Sequence, residues 1–315
     1  MRHRLAWDRE GLEWPHRDAS RFVRAADLVW HVQQMGPANI GQNNSATRDG
    51  AATPPPVALL IHGTGASSHS WRGVMPLLAQ HMSVFAIDLP GHGFTSMPTA
   101  GMGAAQFSLP GMARALGALL STLAIQPQIL IGHSAGAALA LRMGLDGILA
   151  TKAVVSVNGA LLPPGGIAWQ FFSPVAKLLS AAPLVPRLFA WRAADPAVLQ
   201  RLIDGTGSTL DAKGLALYRT LVANPGHAAG ALAMMANWDL EALAHGLPRV
   251  TPPVSLVVGS ADRTVPPHQA YQAMALLPRI AGTAVTHLEG LGHLAHEERP
   301  DLLVNHVLEL GSQQA

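Results

Sequence analysis

Hydrophobic positions in this chain follow two rhythms. Near the start, Phe22-Val23-Arg24 and Leu28-Val29-Trp30-His31-Val32 flank a turn at Ala26-Asp27, and Leu28, Trp30 and Val32 recur with period two. That alternation predicts a β-hairpin with one buried face. Residues 36–56, rich in Gly, Asn, Ser, Thr and Pro, read as a surface insertion. Beyond it come apolar runs without polar alternation: Val57–Ile61, 84–87, Ile129-Leu130-Ile131, Ala153–Val157 and 254–258, with a shorter strand at 284–286. Helical patterns separate them, at 71–82, from Ser108 as N-cap with Pro110 in the first turn to about 124, after Ser134, at 267–277 and after Pro300. Continuous apolar strands separated by helices predict an α/β protein with a mostly parallel sheet covered on both faces.

The alternation stops between 161 and 250, where helices and turns carry Trp169, Phe171, Phe172, Phe189, Trp191, Met234, Met235 and Trp238. The predicted organisation is therefore a core from 1–160 and 251–315, with a helical cap from 161–250 over the C-terminal edge of the strands, where ligands bind in open α/β sheets. The aromatic and methionine stripe is expected mainly to pack the cap itself, with Met234 and Trp238 as candidates to line a site.

Composition narrows the chemistry. Charged residues make up 13% of the 315, about half the usual ~25%, so apolar surface is expected at a ligand mouth, a partner face or a membrane. With 21 basic and 19 acidic residues, and arginines interspersed with acids near the N-terminus, nucleic-acid binding is not expected. The absence of cysteine excludes disulfides, thiolate metal sites and thiol nucleophiles. No secretory signal or spanning segment is read, so the expected location is the cytoplasm, at most peripheral to a membrane. No cofactor or metal is expected, since His287, His293 and His296 lie on different elements and no carboxylates cluster.

The sharpest signal is Gly132-His133-Ser134-Ala135-Gly136, a G-x-S-x-G between a strand and a small-residue helix. This context predicts a strained turn that lifts the Ser134 hydroxyl above the sheet at a helix N-terminus. Serine needs a base oriented by a carboxylate. Chain order makes Asp262, after the 254–258 strand, the acid, and His293, in Glu289-Gly290-Leu291-Gly292-His293, the base; His287, His296 and Asp239 are weaker candidates. An oxyanion needs backbone donors. Ile61-His62-Gly63-Thr64-Gly65 supplies the Thr64 amide, with Gly65 in its place as the alternative, and Ala135 supplies the second. Gly63, Gly65 and His133 are further candidates to line the site. The loop Asp88-Leu89-Pro90-Gly91-His92-Gly93 reads as a turn shaping its wall.

Together these pieces resemble the α/β-hydrolase fold over nearly the whole chain after residue 20. Ser134 at the elbow departs from relatives with an aspartate there, such as haloalkane dehalogenases. Other segments, among them Trp30-His31-Val32-Gln33-Gln34-Met35-Gly36, Ser156-Val157-Asn158-Gly159-Ala160-Leu161-Leu162-Pro163, Gly205-Thr206-Gly207-Ser208 and Met234-Met235-Ala236-Asn237-Trp238-Asp239-Leu240, resemble the magnesium-chelatase accessory proteins of bacteriochlorophyll biosynthesis. That resemblance implies work near magnesium insertion into a tetrapyrrole, with chelatase subunits as partners. It leaves two expectations: a serine hydrolase acting on an apolar acyl substrate, or a non-catalytic tetrapyrrole carrier or docking protein.

Overall fold

The apolar runs become the strands of one eight-stranded sheet in a computed structural model that describes residues 4–36, 55–163 and 184–313. The strands are β1 (Ser20–Ala25), β2 (Leu28–Met35), β3 (Val57–Ile61), β4 (Ser83–Ile87), β5 (Ile129–His133), β6 (Ala153–Val157), β7 (Val254–Gly259) and β8 (Ala284–Leu288). Their order across the sheet is β1-β2-β4-β3-β5-β6-β7-β8. The hairpin β1–β2 is antiparallel, as is the β2–β4 pair, and the other neighbouring pairs are parallel. The expected α/β class is found.

Burial on both faces explains the missing polar alternation. From β3, Leu59 and Ile61 join one core layer with Leu116, Leu119 and Leu139, while Ala58 and Leu60 join the other with Trp71, Met75, Leu78 and Val307. Each fully buried aliphatic side chain contributes roughly 1.5–3 kcal/mol, so a polar residue at any of these positions would lose a core contact whichever way it pointed.

The helices are α1 (Val74–Leu78), α2 (Leu109–Leu123), α3 (Ala135–Leu145), α4 (Val185–Ala193), α5 (Pro196–Gly205), α6 (Ala212–Val222), α7 (Pro225–Asn237), α8 (Glu241–Ala244), α9 (His268–Leu276), α10 (Ala295–Glu298) and α11 (Pro300–Gln313). Ser108 caps α2 as expected, its hydroxyl accepting from the Gly111 amide. The helix expected over 71–82 is shorter. Trp71 ends a 3-10 turn (Ser68–Trp71), and Gly73, a poor helix former packed against Pro300, separates that turn from α1.

Between β6 and β7 the described residues form α4 to α8 and no strand. The apolar stripe expected to pack there divides. Met234 is fully buried and Trp238 half-buried, but Phe189, Trp191 and Met235 are exposed, Trp191 to 73%. The cause is the phase of α4: Leu184, Leu188 and Trp191 recur at i, i+4 and i+7 on an outward face. Trp169, Phe171, Phe172 and most of the 36–56 stretch lie outside the described residues.

Candidate active site

Ser134 stands between the end of β5 and the first turn of α3 with φ 51° and ψ −117°. A non-glycine residue with positive φ in this region is strained. The flanking glycines are what allow it. A Cβ on Gly132 would overlap Ala137 of α3, and one on Gly136 would overlap the Ile61 carbonyl of β3. Helix α3 therefore starts in direct contact with two strands, and Ser134, half-buried, is held at its N-terminus. The serine backbone is locked on both sides, its N–H donating to Val157 O (3.0 Å) and its carbonyl accepting from Ala160 N (3.1 Å).

Asp262 follows β7 and His293 follows β8, and the two are hydrogen-bonded, Nδ1 to Oδ2 at 2.8 Å. The other Asp262 oxygen accepts from the amides of Thr264 (2.7 Å) and Val265 (2.9 Å), so both carboxylate oxygens are partnered in a fully buried side chain. Since Asp262 accepts, Nδ1 carries a proton and Nε2 is left to take another. Among the hydrogen bonds of the described residues there is none between the Ser134 hydroxyl and the His293 ring.

Neighbours bring the serine and the histidine loop together. The His293 carbonyl accepts from His133 Nε2 (2.9 Å), and the His133 and His293 rings lie 4.7 Å apart. Asn158, just past β6 with φ 45°, donates from Nδ2 to Gly292 O (2.9 Å) and His293 O (2.7 Å), and its Oδ1 accepts from Gly259 N (2.7 Å). One side chain thus ties the base loop to the strand that precedes the acid. The region between β6 and β7 reaches the same loops. Thr206 O accepts from both Arg263 N (3.2 Å) and His293 N (3.1 Å), and Ser208 Oγ accepts from Leu294 N.

The loop after β3 packs on the serine. A Cβ on Gly63 would press on His133 Nδ1 and Ser134 Cβ at about 3 Å. Gly63 O accepts from Ala66 N (3.2 Å) and from His62 Nδ1 (2.7 Å), closing a turn whose third residue, Gly65, has φ 77°. Positive φ at that place is the glycine requirement of a type II turn. Thr64 Oγ1 donates to Met234 Sδ (3.5 Å), so a candidate lining residue of α7 touches a candidate donor residue. His227, in the first turn of α7, bridges two core loops: Nδ1 accepts from Gly93 N (3.0 Å) and Nε2 lies 3.0 Å from Gly65 O.

The weaker candidates are placed elsewhere. His287 lies within β8 and shares a hydrogen bond with Tyr271 Oη. Asp239 is exposed and accepts from the amides of Glu241 and Ala242 at the start of α8. His296 is fully buried between His133 and Trp71, both ring nitrogens unpartnered, and burial pushes it down to about 3. Burial likewise lowers His133, and lowers His227 to about 4. These imidazoles are neutral at pH 7. Trp238 is half-buried with its indole N–H unpartnered.

A cavity of about 470 Å³ borders His227, Gly93, Phe94 and Arg4, and one of about 580 Å³ lies between α5 and α6; neither reaches Ser134. Among the described residues no group of three or more His, Asp or Glu is arranged to hold a metal ion, and no helix is long and apolar enough to cross a membrane.

Sequence reasoning passed over Asn158, Thr206 and His227. The Asn-Gly pair directly after β6 is the local signal that positive φ was needed there. Thr206 and His227 act across more than 50 residues of chain and leave no local signal.

Comparison with known proteins agrees with this architecture. The model described as "Alpha/beta hydrolase family" matches residues 58–306. The chain is 38% identical over 296 residues to the magnesium-chelatase 30 kDa subunit of Rhodobacter capsulatus, covering 94% of this chain and 95% of that one. Among solved structures, an alpha/beta hydrolase fold protein from Burkholderia ambifaria is 25% identical with TM-score 0.71, covering 93% of this chain and 98% of that one. A haloalkane dehalogenase from Bradyrhizobium elkanii, 21% identical, reaches TM-score 0.69 over 94% and 98%, a likeness of fold alone.

Proposed function

Because this chain belongs to the alpha/beta hydrolase family, we propose that it is a serine hydrolase whose acyl substrate is apolar. The observation that carries this reading is the satisfied Asp262–His293 pair on the loops beside a strained, half-buried Ser134. A protein needing only a scaffold has no use for that strain.

In this mechanism Ser134 Oγ attacks the acyl carbonyl and its proton passes to His293 Nε2. Asp262 holds the Nδ1–H tautomer and stabilises the imidazolium. The amides of Thr64 and Ala135 receive the oxyanion. His293 returns the proton to the leaving group. It then takes one from the water that attacks the acyl-enzyme and passes it to Ser134 Oγ as the acyl–oxygen bond breaks, releasing the carboxylic acid and restoring the serine. The Ser134–His293 hydrogen bond forms as substrate closes the site, since catalytic contacts are often long in unliganded enzymes.

The second reading is a docking or tetrapyrrole-carrying role beside magnesium chelatase in bacteriochlorophyll biosynthesis. The named chelatase subunit that this chain matches end to end favours it, as does the exposed Trp191 face of α4. Both readings include a cytoplasmic site of action and chelatase subunits as partners.

Ser134→Ala separates them. Fluorophosphonate labelling and pigment accumulation in the host are measured together. The hydrolase reading expects both to be lost. Lost labelling with normal pigment leaves the docking role, and an unlabelled wild-type protein rules out the nucleophile.

A further inference from the structure

Resting on the serine-hydrolase reading, we infer that His227 of α7 is a positioning residue for the oxyanion site, holding the Thr64 amide through two hydrogen-bonded peptide groups. The wiring follows from which atoms can donate. Gly93 N–H points at His227 Nδ1, so Nδ1 is the acceptor and the proton of the neutral ring sits on Nε2, 3.0 Å from Gly65 O. Gly65 O and Ala66 N–H are the two ends of one planar peptide group. Ala66 N–H donates to Gly63 O (3.2 Å) beside the shorter bond from His62 Nδ1 (2.7 Å), and Gly63 O and Thr64 N–H are the two ends of the next. A trans peptide directs its N–H opposite to its carbonyl, so fixing Gly63 O fixes the direction of Thr64 N–H. Hydrogen bonds in such a chain also polarise one another, which strengthens the final donor.

His227 is placed for this by the fold. Asn224 caps α7 and accepts from the amides of Gly226 and His227, with Pro225 fixing the first turn. One turn on, Gly230 lies against Gly91 so closely that a Cβ would overlap the Gly91 carbonyl. The helix is thereby set at the one depth from which an imidazole spans Gly93 and Gly65. A helix lying outside the sheet therefore completes a donor that the sheet's own loop presents.

The test replaces the ring by amides that keep one end each. His227→Gln retains a donor near the Nε2 position, His227→Asn retains only the inner acceptor, and His227→Phe retains neither. Turnover of a p-nitrophenyl acyl ester is normalised to sites titrated by fluorophosphonate. The expected result is that Asn and Phe lose about 10–10²-fold in kcat with KM little changed, because one oxyanion donor is worth ~10²–10³, and that Gln recovers most of the loss. Equal kcat for Gln and Asn, or wild-type kcat in Phe, overturns the inference while leaving the nucleophile intact; no labelling of wild-type protein overturns the parent reading instead. Should the variants fail to fold, a structure of the phosphonylated wild-type protein decides. A phosphonyl oxygen bonded to Thr64 N with the His227–Gly65 bond kept supports the inference. An oxygen on Gly65 N with Gly63 O released from Ala66 overturns it.

Discussion

Asp88 and Asp262 each follow a sheet strand, and each places a carboxylate oxygen 2.8 Å from a histidine Nδ1. Each carboxylate also accepts from two backbone amides, and the difference lies around the imidazoles. Asp88 accepts from the amides of Ser68 and Phe94, and its partner His31 is wrapped by the rings of Trp7, Phe22 and Phe94. Both side chains are wholly buried and His31 Nε2 meets no polar partner. His293 keeps an exposed edge, on a loop anchored beside the elbow of Ser134. A carboxylate–imidazole pair is thus not in itself a catalytic device. In the proposed mechanism the His293 pair moves a proton, whereas the His31 pair, buried with no partner at Nε2, pins a loop.

Matched substitutions test that division, and the largest effect is expected from the aspartates. Asp262→Asn should cut turnover per folded molecule by about 10⁴, the cost of presenting the wrong imidazole tautomer, and also lower stability, because the Asp262 side chain is buried and accepts from two amides. Asp88→Asn should lower stability by about 3–5 kcal/mol, as for removing one partner of a buried pair, with turnover per titrated site unchanged. Denaturant unfolding and active-site titration measure both. The division collapses if Asp88→Asn abolishes turnover in protein that is still folded.

A smaller effect sharpens the comparison at the supporting residues. Asn158→Ala should strip two acceptors of the His293 loop and the Gly259 amide of their partner, lowering turnover by about 10–10²-fold and stability by about 1–3 kcal/mol. Thr95→Ala, which removes the hydroxyl that accepts from His31 N, should lower stability alone. Loss of turnover in the second variant would mean that the two pairs are coupled.

The two pairs also differed in how visible they were in the sequence. Asp262 and His293 could be named because each follows a strand, His293 in a glycine-flanked loop, and the order Ser, Asp, His restricts the choice. Asp88 could not be matched to His31, because their meeting depends on β2 lying beside β4, with Val32 opposite Ile87, and a hairpin pattern does not say which strand its second arm joins. The sheet strands were legible because burial on both faces demands unbroken apolar runs. The short α1 was not, since its 71–82 pattern hides the interruption at Gly73. The outward face of α4 was missed for a related reason: the count of aromatic residues between 161 and 250 carries no phase.

The smallest predicted effect concerns acid. Burial alone would raise the Asp88 carboxyl, but the charge and hydrogen bond of His31, with help from His62 and the Phe94 amide, hold it well below the ordinary range. A carboxyl depressed in the folded state contributes stability that is complete above its unfolded value near 4 and is lost as pH falls through the folded one. His227 and His296, lowered by burial to about 4 and about 3, act in a different window. The unfolded chain binds their protons from about pH 6.5 downward, so stability begins to fall there. The Asp88 charge favours the protonated form of His227, so removing Asp88 changes both windows and the test is made on the wild type alone. Wild-type stability should therefore fall in two steps on acidification, from about pH 6.5 with the buried histidines and again below about 4 as Asp88 surrenders its contribution. Urea midpoints across that range measure it. Stability that rises below about pH 4 would mean that the Asp88 carboxyl is raised rather than lowered by its surroundings, and would overturn its assignment as a buried carboxylate.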